Sequence, residues 1–540
     1  MNLLEEKWLP VRRSTGQIDW IAPHQIAEPD IIAFAANRAD FNGALAQMMI
    51  GLLQTTTPVD SEDQWGDFLD TPPAAEVLKQ WLAPCAEAFV LDGDKARFMQ
   101  DIGVTEGTEC MIDALLIDSA GGSTIDKNTD HFVKRDIIKA MCPHCAAAAL
   151  FTLQTNAPAG GAGNRTSLRG GGPLTTLVVA TPSQGLWRDL WLNVKPQSVF
   201  LQQGGDVRKT AKHFTFPWLA QIDKIQAAGG ETQPLQVHPH HLFWAMPRRI
   251  RLDFSDAEAG RCDTCKRESA QLVHRYITKP QGLNYKGVWR HPFSPYYETK
   301  EGWLPVHPQP NSFSYKNWLA WVLGSTQSKR VVQAASIVSY VLDEKRQRSG
   351  QFRVWVFGYD MDNMKARCWY ETTFPLYNLA GSDRATQKHL QEIVKNLIEA
   401  SEQAAFYLRQ AVKHAWFGDS DMRGDLSFVD KAFWDGTEPR FYQLLKMLIE
   451  QARSTVGIDM DDANFLIGLG EAWLKVLRDK ALQLFDADIV GAGSIGQQDP
   501  RRIAEAFNGL KRNLDGKAIK TILRLPVPEK VEKAPKTAKR

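Results

Sequence analysis

Charge of one sign is the first thing this sequence lacks. Across 540 residues, 64 Lys and Arg oppose 62 Asp and Glu, a formal net charge of +2. No global basic field therefore advertises nucleic acid, and any such contact has to be a local patch. Long hydrophobic runs are also missing. No stretch approaches about 20 uninterrupted apolar residues, which excludes a membrane-spanning helix. The opening MNLLEEKWLPVRRSTG puts acidic residues where a secretory leader would be apolar. Cysteine is scarce. Cys85, Cys110, Cys142, Cys145, Cys262, Cys265 and Cys368 are too few for a disulfide framework in a chain this long, so a reducing cytoplasmic location is expected. Catalytic signatures are missing too: there is no G-x-x-x-x-G-K-[ST], no G-x-S-x-G, no H-E-x-x-H, and no H-x-E ahead of P-C-x-x-C. Acidic residues abound, but no pair is marked for catalysis.

What is present reads as a globular protein of two to four domains, 44% hydrophobic and 23% charged. Residues 1–380 look mixed. Strands are expected at 173–180, 336–342 and 352–360, and helices over Phe41–Leu53 and Ala146–Leu153. Long loops rich in Pro, Gly and Asn fall at 118–131, 156–173 and 278–300. Beyond residue 380 the pattern turns helical. Leu390, Ile393, Val394, Leu397, Ile398, Ala404, Ala405, Leu408, Ala411, Val412 and Ala415 recur at three–four spacing, with Ser382 or Asp383 as a cap. Similar patterns over 427–453, 461–486 and 500–523 complete an expected four-helix bundle across 381–525, followed by a Pro/Lys-rich tail at 526–540. The fold class is α+β: a large mixed N-terminal domain, then the bundle.

Two C-x-x-C knuckles carry the strongest chemistry, CPHC (Cys142, Cys145) and CDTC (Cys262, Cys265). Two intervening residues let both thiolates face one ion, and two knuckles complete a structural tetrahedral zinc site. A redox pair explains only one knuckle and needs a thioredoxin-like context. Separately buried cysteines are the other alternative, and His144 is a weaker ligand candidate. GAGSIG at 491–496 matches a dinucleotide fingerprint literally, but Asp499 as cap and Pro500 at the first helical position make it an interhelical loop. HPHH at 238–241 leads into an apolar run and reads as packing.

Three loops suit nucleic acid. NAPAGGAGNRTSLRGGGP at 156–173 combines six glycines, which admit a groove edge, with Arg165 and Arg169, which can meet phosphates. Residues 276–295 interleave Lys279, Tyr285, Lys286, Trp289 and Arg290. A polar turn at 358–369 carries Asn363, Met364 and Lys365. Each alone reads as a surface loop.

Taken in order, NLLEEKWLPV, CPHC, NAPAGGAGNRTSLRGG with PLTTLVV, HHLFWAMPRRI, CDTC, GVWRHPFSP and GYDMDNMKARCW resemble the large subunit of the type I-E CRISPR Cascade complex, the CasA family, over about residues 1–525. The resemblance implies a non-catalytic subunit that reads the protospacer-adjacent motif (PAM) in double-stranded target DNA and helps open the duplex for R-loop formation. The DNA-contacting positions it implies are Gly160, Gly161, Ala162, Gly163, Asn164 and Arg165 in the minor groove, with Lys279 from a second loop. A wedge would carry Asn363, Met364 and Lys365. Phe132, in NTDHFVKRD, would dock on the crRNA end and its capping subunit. The implied partners are the other Cascade subunits, crRNA and a helicase-nuclease effector, with no membrane. A stand-alone zinc-containing nucleic-acid binder and a metal-dependent nuclease remain as alternatives.

Overall fold

The computed structural model describes residues 1–127, 135–161, 163–227, 229–310, 313–325, 331–343, 351–362, 365–377, 384–418, 424–453, 462–492 and 499–527. The chain divides into two compact units. One comprises Met1–Pro310 with Ala320–Leu376, the other Asn311–Leu319 with Tyr377–Arg540.

The first unit is built around the helix Ala39–Thr56. Its sequence is apolar nearly all round, and Phe41, Leu45, Met49, Ile50, Leu52 and Leu53 are all buried, as a central helix must be. Thr57 leaves the helical region and Pro58 prevents its continuation. A second buried helix, Pro143–Asn156, packs against it. Both enclose the helices expected from sequence.

The expected strands at 173–180 and 352–360 form one antiparallel sheet with a third strand. A long hairpin, Gln351–Asp362 with Lys365–Leu376, pairs through its first strand with Thr175–Thr181. Phe352, Val354 and Val356 are buried, while Arg353 and Trp355 alternate to the other face. The outer edge of Thr175–Thr181 is capped by Asn193, which accepts from Val178 N at 2.8 Å and donates to Val178 O at 2.8 Å. That closes an edge otherwise open to pairing.

The expected strand at 336–342 is instead the helix Ser336–Leu342. Its β-branched residues suit a strand, but Ile337, Val338 and Tyr340 bury on one side against Thr175–Thr181. A short apolar run has no periodicity of its own, so packing decides.

In the second unit the helix Arg384–Phe417 buries all eleven apolar positions predicted for it. It packs against Ser427–Arg453, Ala463–Gln483, Pro500–Leu514 and Lys517–Ile522. Asp499 caps Pro500–Leu514, accepting from Arg501 N at 3.0 Å and Arg502 N at 3.2 Å. Residues 493–498, within and after GAGSIG, and the cap candidates Ser382 and Asp383 lie outside the described residues. Tyr315, from the segment Asn311–Leu319, sits at the centre of these helices. Its ring stacks on Phe441 at 4.3 Å and meets Trp434 and Trp473 edge-on, and its hydroxyl lies 2.9 Å from Thr437 Oγ1. No helix among the described residues is long and apolar enough to cross a membrane.

Candidate metal centre and nucleic-acid interface

The two knuckles, over a hundred residues apart in sequence, meet. Cys142 is the N-cap of Pro143–Asn156, and its sulfur accepts from Cys145 N at 3.5 Å. The second knuckle is the turn between the paired strands Glu258–Arg261 and Glu268–Leu272. There Cys262 N donates to Arg267 O at 2.8 Å and Lys266 N to Cys262 O at 2.9 Å. Asp263 joins the halves: its Oδ2 accepts from Lys139 N at 2.8 Å and Ala140 N at 2.9 Å, and its own N–H donates to Ala140 O at 3.0 Å.

The four sulfurs lie within 4.8 Å of one another, with Cys142 and Cys265 3.8 Å apart. A tetrahedron of thiolates about 2.3 Å from a zinc ion has edges of about 3.8 Å, so the donor set fits such a metal. Hydrogen bonds from Cys142 and Cys145 hold the Cys265 thiol down to about 7, while contact with Cys142 and the other sulfurs, with burial, pushes Cys145 up. Four sulfurs this close repel as thiolates, and a divalent cation lets all four ionise. His144 lies outside the cluster. Burial, then Arg267, lowers its pKa to about 4, leaving it neutral. All seven cysteines are free.

The helix that begins at the first knuckle ends at the glycine loop. Two of that loop's glycines have intrachain reasons. Gly170 (φ +82°) and Gly172 (φ +59°) are left-handed, and a Cβ at either would lie 2.5 Å from His307 Nε2 or 2.7 Å from Tyr359 O. Gly161 is the exception. It is exposed, its φ is not left-handed, and a Cβ there would meet nothing within 4 Å among the described residues. Asn164 is exposed beside it, its N–H donating to Gly161 O at 3.2 Å.

Three sequence-distant segments converge here. Gly163 O accepts from Gln281 N at 3.0 Å, which fastens the loop to the segment after Lys279. Gly172 packs on Tyr359 and Met361 in the long hairpin. The hairpin is braced in turn by Tyr359, whose hydroxyl donates to Asp40 Oδ2 at 2.6 Å, and by Arg367, which donates to both Asp360 oxygens at 2.7 and 3.0 Å. Lys365 is exposed at the first position of the return strand, opposite Asp362. Asn363, Met364, Ala162 and Phe132 lie outside the described residues.

Several sequence expectations need correction. Arg169 does not face phosphates. It is buried, and the two terminal nitrogens of its guanidinium donate to Thr175, Ser294 and Gln47. Lys279 is the last residue of a strand, Arg275–Lys279, opposite Arg249, rather than a loop residue, and its Nζ lies 3.8 Å from Glu106. Trp289 is buried, and Tyr285's hydroxyl accepts from Met246 N at 2.9 Å, so these aromatics build core rather than stacking platforms. The HPHH residues pack as expected. His241 bonds Tyr285 and Phe214, and burial lowers His240 to about 3 and His241 to about 4. Arg248 was missed by sequence reasoning. It donates to Arg165 O and, at 2.6 Å, to Pro158 O, and so straps the glycine loop. Only the doublet in AMPRRI hints at it.

Fold and site together define a cysteine-knuckle scaffold that presents a cluster of loops. The family profile of CRISPR-associated protein Cse1 matches residues 2–484, and the chain belongs to that family, also called CasA. The fold is similar to that of Cse1 from Thermobifida fusca (TM-score 0.69, 14% identity, 97% of this chain and 98% of that one). It is also similar to Thermus thermophilus CasA (Cse1), with TM-score 0.66 and 16% identity over 95% of this chain and 99% of the other. A chain from a CRISPR RNA-guided surveillance complex matches with TM-score 0.67 and 14% identity, covering 96% and 99%.

Proposed function

We propose that this chain is a non-catalytic subunit of a cytoplasmic crRNA-guided surveillance complex, and that it reads the PAM in double-stranded DNA. The observation that carries this reading is Gly161: an exposed glycine without a left-handed φ and with nothing within 4 Å of a Cβ among the described residues, in a loop strapped by Arg248 and Gln281. A bare backbone at that point suits close approach by an external partner, and a minor-groove edge is such a partner. Gly160, Gly163, Asn164 and Arg165 shape the same tip, and Lys279 lies two residues before its anchor at Gln281. The hairpin end, with Asn363, Met364 and Lys365, is the strand-separating wedge, and residues around Phe132 engage the crRNA end. The cysteine cluster holds a structural zinc ion, which fixes the scaffold. Guide pairing supplies most sequence recognition, so a subunit that reads only a short flank needs no strong overall charge. In this reading the assembled complex then recruits a helicase-nuclease.

The test is a titration of guide-loaded complex on target duplex, with and without this chain, over a set of flanking trinucleotides. Binding that requires the chain and varies with the flank is expected. Equal effects on every flank would refute PAM reading, and cleavage by the isolated chain with divalent ions would refute the non-catalytic assignment.

A further inference from the structure

The glycine loop carries a buried cation, Arg169, that no carboxylate among the described residues neutralises. Arg169 is 3% exposed. Nη1 donates to Thr175 Oγ1 at 3.0 Å and Ser294 Oγ at 3.1 Å, and Nη2 donates to Gln47 Oε1 at 2.5 Å. All three acceptors are neutral, and among the described residues no carboxylate pairs with the guanidinium. Burial lowers its pKa only to about 10, so the charge persists at neutral pH. An uncompensated charge in the interior is costly, and proteins normally pair it.

Beside it lies a cavity of about 20 Å³, lined by Arg169, Gln47, Ser167, His291, Phe151 and Phe293 among others. That is room for one small species. His291 is 4% exposed, and its Nδ1 accepts from Phe293 N at 3.2 Å. The neutral ring therefore carries its proton on Nε2, and no acceptor for that proton appears among the described residues. The bonds made by Arg169 use only Nη1 and Nη2, which leaves its Nε–H. Two N–H donors that no described residue accepts, on the buried side chains of Arg169 and His291 and one of them on a full positive charge, thus belong to the lining of one small cavity.

We propose that this cavity is a binding site for a single small monovalent anion, with chloride as its occupant. The anion supplies the charge that Arg169 lacks and accepts from Arg169 and His291. Arg169 links the central helix through Gln47, the strand Thr175–Thr181 and the segment holding Ser294, while His307 Nε2 donates to its carbonyl at 3.1 Å. The anion would therefore brace the base of the glycine loop. A water molecule fills the space but brings no charge, and phosphate or sulfate is too large for it.

The test is thermal unfolding of the full chain at constant ionic strength, with chloride or bromide replaced stepwise by gluconate. A saturable rise in Tm with either halide is expected, and the Arg169→Met variant is expected to lose the halide dependence. Because that substitution strands three polar partners and can unfold the chain, crystals grown in bromide give an independent readout: an anomalous peak in the cavity. Equal Tm in halide and gluconate for the unsubstituted chain, or a cavity without bromide, would overturn the proposal and leave water as the occupant.

Discussion

Gly161 and Gly172 sit eleven residues apart in one loop, and alanine should affect them oppositely. At Gly172 a new Cβ would stand 2.7 Å from Tyr359 O, and φ is +59°. The left-handed conformation alone costs a non-glycine residue about 1–2 kcal/mol. The carbonyl it meets is in the braced hairpin and cannot step aside cheaply, so the total loss should reach about 2–4 kcal/mol. At Gly161 neither term exists. Alanine there restricts the unfolded chain and should leave stability unchanged or raise it by up to about 1 kcal/mol. Function should divide the other way. A Gly161→Val side chain holds a groove edge off the backbone and should cost roughly tenfold or more in flank-specific binding, the worth of one or two hydrogen bonds. Denaturant midpoints of the free chain and duplex titrations of the assembled complex read the two effects separately. If Gly161→Val binds every flank as the parent does, the tip is not a DNA-reading element. If Gly161→Ala destabilises as much as Gly172→Ala, Gly161 is a structural glycine and not a contact for an external partner.

Cys262→Ser should abolish stoichiometric zinc, measured by elemental analysis of the purified chain, and lower Tm, because binding free energy at such a cluster is folding free energy. Asp263→Ala should cost about 1–3 kcal/mol in a denaturant titration, since it strands the Lys139 and Ala140 N–H groups that hold the knuckles together. His241 is neutral when folded, with its pKa lowered to about 4, whereas in the unfolded chain it titrates near 6.5. Between those values the unfolded state binds the extra proton, so stability present above about pH 6.5 should drain away toward pH 4, by about 2–3 kcal/mol from this one group. A urea midpoint independent of pH over that window would refute the burial argument.

The periodic and the covalent were legible in advance. All eleven positions that helical spacing named in Arg384–Phe417 are buried, the Asp499–Pro500 cap was readable as it stands, and two C-x-x-C pairs announced a common cluster. What sequence could not weigh was long-range packing. Arg169 looks like a phosphate ligand until Gln47 and Ser294 arrive from segments 122 and 125 residues away. Trp289 among lysines reads as a stacking ring, yet its indole N–H donates 3.0 Å to Lys286 O from a buried position. Residues 336–342 carry strand-like side chains, but they form a helix that buries Ile337, Val338 and Tyr340 against Thr175–Thr181. In the glycine loop both readings apply, to different glycines, and only the surroundings of each Cβ separate them.

The helix Pro143–Asn156 has one end in the cysteine cluster and the other at the start of the glycine loop. Fourteen residues at 1.5 Å rise make a strut about 21 Å long. A strut fixed at one end aims whatever is mounted on the other, and a small tilt at the base grows in proportion to its length. On the proposed function, depleting the zinc while the chain stays folded should therefore blur discrimination between flanks before it weakens attachment to DNA as a whole. On the proposed function, the accuracy of flank reading would then depend on metal supply.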